Sequence, residues 1–184
     1  MCIRDRIYGE PIQYVCKKKK ADKKINEQVD LLNDYLDEAN ADARNIQLGI
    51  YQSAVGTAYK AILREDDWTK DRDLPPFRIF IPYPGDVYIV YSRNTGKAML
   101  SVQILKDEEN QQYYLCYSSN QYFKIKNGQV TVSGINGFGG IPIIEYPNNH
   151  DRLSDVEIAI TAFDAINKYQ SDRLNLSLIH ISEP

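Results

Sequence analysis

Residues 140–175 read GIPIIEYPNNHDRLSDVEIAITAFDAINKYQSDRLN, and the fold turns on where this stretch changes from strand to helix. Ile141 to Tyr146 is a short apolar run with the period and composition of a strand. Asn148-Asn149 follows. Asparagine tolerates left-handed backbone angles and bonds nearby main chain, so the pair predicts a tight corner. Ser154-Asp155-Val156-Glu157 is then an S-x-x-E capping box, in which the serine oxygen and the glutamate carboxylate satisfy free backbone N–H groups. Val156, Ile160, Phe163 and Ile166 recur at helical spacing and are continued loosely by Tyr169, which predicts one apolar stripe. Glu145 stands alone in an apolar strand. A structural salt bridge to a lysine or arginine of its own or a neighbouring chain is the expected partner.

Upstream, GINGFGG (134–140) reads as a mobile loop. Before it come FRIFI, VYIVY, KAMLSVQIL, QYYLCY, QYFKI and QVTVS, short runs rich in β-branched and aromatic residues between residues 77 and 133. Turn signals separate them, at Pro82-Tyr83-Pro84-Gly85-Asp86, Arg93 to Gly96, Asp107 to Asn110, Ser118 to Asn120 and Asn127-Gly128. The Asn-Gly step is a strong two-residue hairpin signal. The middle of the chain is therefore expected to be an antiparallel meander.

The first third reads differently. Ile7 to Cys16 predicts a turn at Gly9-Glu10-Pro11 and a short strand. Lys17 to Lys24 is a lysine run, read as solvated. Ile25, Val29, Leu32 and Leu36 mark an amphipathic helix, with Asn26 as its cap. Asn40 and Asp42 break the pattern. A second helix is expected from Ala43 to Val55 with Ile46, Ile50 and Ala54 on its inner face, stopped by Gly56. Thr57 to Glu65 is ambiguous by periodicity and is read as a strand. Glu65 to Pro76, with four aspartates and Pro75-Pro76, is loop. The fold class is α+β: two N-terminal helices, an antiparallel β-meander and a C-terminal capped helix.

Composition excludes more than it selects. The chain has 184 residues, enough for one core, and a net charge of -3, unlike the basic proteins that bind nucleic acid by counterion release. Fourteen tyrosines favour strands and interfaces. No apolar run reaches the roughly 18 residues of a membrane span, so a cytoplasmic protein is the default. Cys2, Cys16 and Cys116 form no CxxC pair, and neither a zinc site nor a disulfide framework is expected.

Candidate chemistry is thin. His150 with Asp151, Asp155 and Glu157 could suggest a metal site, and His150, Asp151 and Glu157 a metal-dependent hydrolase, but the solvated reading is the stronger one. Gly134, Gly137, Gly139 and Gly140 lack the lysine and the following helix of a phosphate-cradling loop. Asp66, Asp67, Asp71 and Asp73 lack the spacing of a calcium loop. Lys17 to Lys24 has no interleaved aromatics for a nucleic-acid surface. No catalytic, cofactor or metal residue is expected.

The block Gly140-Ile141-Pro142-Ile143-Ile144-Glu145-Tyr146-Pro147-Asn148-Asn149 resembles a signature of the portal proteins of tailed bacteriophages. The resemblance continues through Asp155, Glu157, Asp164, Ala165, Asn167, Ser171 and Asp172. It extends backward through Tyr8 to Ile12, Gly56-Thr57-Ala58-Tyr59 and Pro82 to Tyr91. It implies a virion protein assembled in the host cytoplasm: a subunit of a ring, typically dodecameric, at one capsid vertex. That ring would conduct double-stranded DNA non-specifically during packaging and ejection, and dock terminase, scaffold or capsid and head-completion proteins, with no membrane contact. The region would be mostly the outer wing (7–153), with a helix (154–175) leading toward a stem. The stem, clip, tunnel loop and crown are expected beyond Asn175, so no DNA-contacting residue is carried over. MCIRDR (1–6) and LSLIHISEP (176–184) resemble translated sequencing-adapter read-through and are expected to be non-native ends. Another virion component, or a tyrosine-rich β binding module, is the alternative reading.

Overall fold

The computed structural model describes residues 11–16, 23–65 and 74–181, with side chains to residue 174. The expected turn at Gly9-Glu10, most of the lysine run and the aspartate-rich loop lie outside the described residues. Two helices come first, α1 (Lys23–Glu38) and α2 (Ala41–Val55). Eight strands follow: β1 (Thr57–Arg64), β2 (Phe77–Phe80), β3 (Val87–Tyr91), β4 (Ala98–Lys106), β5 (Gln112–Tyr117), β6 (Gln121–Lys126), β7 (Gln129–Ile135) and β8 (Ile143–Pro147). Helix α3 (Asp155–Ile181) closes the described chain and runs without a break past Asn175. The architecture is α+β, as the sequence predicts.

The meander is real but one strand shorter at its start than expected. β3 to β7 form a five-stranded antiparallel sheet in chain order, whereas β2 joins β1 and β8 in a separate three-stranded sheet of order β2-β1-β8. The β1–β8 register sets Thr57 opposite Pro147 and Ala61 opposite Ile143. Local patterning cannot report pairing between segments so far apart in the chain. At the Asn127-Gly128 hairpin both residues have positive φ (53° and 75°), the requirement of a type I′ turn.

β1 is covered on both faces, and its alternation defines the layers. Tyr59 and Ala61 pack with Val87 and Ile143 between the two sheets. Ala58, on the opposite face, packs with Leu48 and Ile81 beneath α2. The order is thus helix, three-stranded sheet, five-stranded sheet. Cys116 is buried, and burial pushes its thiol pKa up.

The helices depart from expectation in detail. Asn26 lies inside α1, not at its cap, because the helix already starts by Lys23. α1 has no buried residue, and Ile25 and Leu32 of its apolar face are exposed. α2 starts at Ala41, two residues earlier than predicted, after Asn40 in the left-handed region (φ 52°). Its inner face is not Ile46, Ile50 and Ala54. Asn45, Leu48 and Gly49 are the buried residues, while Ile46 and Ile50 are exposed. The reason is polar partnering across the layer: Lys60 Nζ donates to Asn45 Oδ1 at 2.8 Å, and Gln52 Nε2 donates to the Pro147 carbonyl at 2.9 Å.

Two connections are more tightly held, or less paired, than their sequences suggest. In the 134–140 segment Gly134 and Ile135 belong to β7. The buried Asn136 brackets the remainder, donating to the carbonyls of Ser118 (2.7 Å) and Gly140 (2.8 Å). Pro11–Cys16 forms no strand ladder among the described residues.

The capping box forms as the sequence implies. Glu157 N–H donates to Ser154 Oγ at 3.0 Å, and Ser154 N–H donates to Glu157 Oε2 at 2.7 Å. The Ser154 N–H also holds the Glu157 carboxyl pKa below the ordinary glutamate range. Ser154→Ala removes one arm of this exchange at a buried position. It is expected to destabilise the chain by about 1 kcal/mol, read as a shift in urea midpoint with unchanged slope.

Candidate functional site: the strand-to-helix corner

Three separated stretches of the chain converge where β8 hands over to α3. They are the start of β1, the end of β3 and residues 145–157. Glu145 on β8 is the centre, with its side chain only 5% exposed. Arg152 approaches it with two nitrogens, Nε at 2.6 Å from Oε1 and Nη2 at 3.1 Å from Oε2. Such a forked pair is the strong form of ion-pair hydrogen bonding. Thr57 Oγ1 donates to Oε1 at 3.2 Å, and the Tyr91 hydroxyl donates to Oε2. The lone acid of the apolar strand therefore finds its cation within its own chain.

The electrostatics follow from that geometry. The Arg152 hydrogen bonds, helped by Tyr91 and Thr57, hold the Glu145 carboxyl below its ordinary pKa against the opposing effect of burial. Burial first, and then the hydrogen bond and charge of Glu145, push the Tyr91 phenol up to about 12. Tyr91 consequently stays protonated and donating at any physiological pH. The guanidinium pKa of Arg152 is raised by Glu145.

Asn148 and Asn149 shape the corner through their side chains. Asn148 Nδ2 donates to the Leu153 carbonyl and to Asp155 Oδ1, each at 2.9 Å. Asn149 Nδ2 donates to the same carbonyl at 2.7 Å, while its Oδ1 accepts from the Asp151 and Leu153 N–H groups. The left-handed residue is not an asparagine, as the sequence suggests, but Arg152 (φ 57°). The asparagine side chains close the turn, and the strained angle falls on the residue that the ion pair holds. Asp155 also accepts from Ser53 Oγ of α2 at 2.5 Å. Gly56 completes the joint: its carbonyl accepts the Asn148 N–H at 2.8 Å, and a Cβ on it would lie 2.0 Å from the Arg152 carbonyl oxygen.

The expected motif positions divide into three groups. Gly140 and Pro142 lead into β8, their carbonyls accepting from Asn136 and from the Ile62 N–H. Ile141 sits between them, and Tyr146 packs beside Leu48 and Ala58. Glu145, Asn148, Asn149, Asp155 and Glu157 gather at the corner. Asp164, Asn167, Ser171 and Asp172 do not join them; they are exposed along α3. Sequence reasoning missed Ser53 and Arg152, read Gly56 only as the stop of α2, and gave Thr57 and Tyr91 no role at this corner. Gly56, Thr57 and Tyr91 nevertheless fall within the earlier stretches that carried the family resemblance, and the corner is what those stretches share.

The polar groups of the corner are spent on one another. Glu157 is committed to the helix cap, and His150 and Asp151 stand in solvent, 3.4 Å apart. Among the described residues no group of three His, Cys, Asp or Glu gathers to hold a metal ion. None of the described helices is long and apolar enough to cross a membrane.

These bonds tie the start of a long helix to the two-sheet body. The chain belongs to the phage portal family, since the family model described as phage portal protein, SPP1 Gp6-like, matches residues 3–176. That family is structural, a virion component rather than an enzyme. Comparison with curated proteins gives no match.

Proposed function

We propose that the chain is a subunit of the portal ring at a capsid vertex. Its two-sheet body (7–153) forms the outer wing, and α3 (through 175) leads toward the channel-lining part. In this reading the ring, of about a dozen copies, passes double-stranded DNA during packaging and ejection. It also docks terminase, scaffold or capsid and head-completion proteins. The motif residues Gly140 to Asn149, Asp155 and Glu157 serve it by aiming the helix, not by touching DNA.

The observation that carries this reading is the exposed apolar surface of α3. Val156, Ile158, Ile160, Phe163, Ile166 and Tyr169 are all exposed. With 3.6 residues per turn these side chains and the intervening alanines occupy more than half of the helix circumference. Glu157, Asp164 and Ser171, at seven-residue spacing, mark the polar remainder. A helix apolar over so wide an arc needs neighbours on two sides, and a head-to-tail ring supplies two. Each Ile, Val or Phe fully covered there contributes roughly 1.5–3 kcal/mol.

Electron micrographs of the purified chain are expected to show annular particles, and light scattering a mass of many copies. Phe163→Asp is expected to reduce that mass to the monomer while leaving the far-UV circular dichroism unchanged. A wild-type chain that stays monomeric in every salt condition would sink the ring and favour a tyrosine-rich binding module or another virion component.

A further inference from the structure

Of the unpaired edges among the described residues, two match each other. The first is Pro11–Cys16. One side-chain amide, that of Asn33 on α1, takes both main-chain groups of Tyr14: Oδ1 accepts its N–H and Nδ2 donates to its carbonyl, each at 3.0 Å. A single amide reaches both only where the two groups point the same way, as they do in extended backbone. Two residues earlier the Ile12 N–H turns to the same side, toward Asp42 Oδ1 at 3.4 Å. By the alternation of extended chain, Gln13 and Val15 present their N–H and C=O groups on the opposite side. No partner meets them there among the described residues. This is a strand without a sheet, held along one edge and open along the other.

The second edge is β7, which pairs only with β6 in the five-stranded sheet. The bond from the Asn136 N–H to the Asn120 carbonyl (2.8 Å) sets the alternation. Tyr122 and Gly134 must then exchange hydrogen bonds, and Ser133 and Ile135, opposite Phe123 and Gln121, turn theirs outward. One irregularity lies near the hairpin, where Thr131 is inserted between the partners of Lys124 and Ile125. The stretch Val132–Ile135 beyond it is regular. β7 carries no charged residue and no proline, the usual devices that blunt an edge. Val130, Val132 and Ile135 are exposed on it, as Ile12, Tyr14 and Val15 are on the arm. Pro11–Cys16 is also uncharged.

We propose that Pro11–Cys16 of one copy pairs with β7 of the next copy, extending its five-stranded sheet. Gln13 and Val15 would meet Ser133 and Ile135, two residues against two at the same spacing. The arm and β7 are different surfaces of the same chain. Their contact is therefore head-to-tail, the kind that closes a ring. Within one chain the arm bonds to α1 and α2 and not to β7, which leaves the neighbour as the donor. The inference rests on the ring reading above and names one of its seams.

Cysteine cross-linking tests it. Chains with Cys2, Cys16 and Cys116 replaced by alanine carry Val15→Cys in one preparation and Ser133→Cys in another. Oxidation of the mixture is expected to give a heterodimer on non-reducing gels, because cross-linked cysteines need Cα atoms within roughly 7 Å. The double variant is expected to give a ladder. Rings in micrographs of the same mixture without any heterodimer would overturn the arm-to-β7 seam and leave the ring reading standing. Neither rings nor heterodimer would overturn both. Ser133→Pro, paired with Ile135→Cys as the cross-linking position, deletes one outward N–H and spares the bonds to β6. It is expected to cut the cross-linked fraction about tenfold, and an unchanged fraction overturns the proposal.

Discussion

Arg152→Ala is expected to lower the unfolding free energy by about 3 kcal/mol at pH 7. The substitution leaves the Glu145 carboxylate, 5% exposed, without its cation. The loss lies at the low end for broken buried pairs, since Thr57 and Tyr91 still donate and the guanidinium itself is half in solvent. The pH dependence has a definite sign. Arg152 depresses the folded-state pKa of Glu145. That stabilisation is fully present above the unfolded glutamate value of about 4.3 and fades as pH falls through the depressed folded value. Wild type and variant should therefore differ most at neutral pH and converge in strong acid. Urea unfolding at pH 7 and at pH 3 measures both. An equal gap at the two values would show that Arg152 acts through packing and not through charge.

Gly56→Ala is expected to cost more, about 4 kcal/mol. Gly56 has φ 87°, where an L side chain is penalised by roughly 1–2 kcal/mol. The new methyl would also meet the Arg152 carbonyl oxygen at 2.0 Å and two further backbone carbons at 2.8 Å. Backbone cannot swing aside as a side chain can, so the corner must open, at the cost typical of overpacking. Gly96→Ala separates the two causes. Gly96 has φ 65° and nothing within 4 Å of the added methyl, so it carries the conformational penalty alone. Similar midpoint shifts for the two variants would remove the steric account of Gly56.

Much of this architecture is legible before any coordinates. β3 to β7 are marked by β-branched and aromatic runs with turn residues between them, and each hairpin is local. The capped helix is equally plain, because Ser154 and Glu157 need only each other. What fails is whatever depends on distant partners. β2 reads as the first strand of the meander, yet it pairs with β1. The inner face of α2 reads as Ile46 and Ile50, yet Asn45 and Gln52 point inward because Lys60 and the Pro147 carbonyl await them. The same limit applies to the corner. Glu145 announces the need for a cation, but nothing in the polar run around Arg152 says that its backbone turns left-handed to supply one.

β1 carries a consequence for how this chain can change over generations. Ala58 and Ala61 are wholly enclosed, one against α2 and the other against the meander. Two methyl groups thus act as spacers that set the thickness of both layers. A larger residue at either position would lift the helix or the meander away from the strand. Since Gly56 and Thr57 stand at the head of that same strand, the displacement would be inherited as a new angle for α3. Drift at two alanines would alter the aim of a helix that lies far along the chain from either.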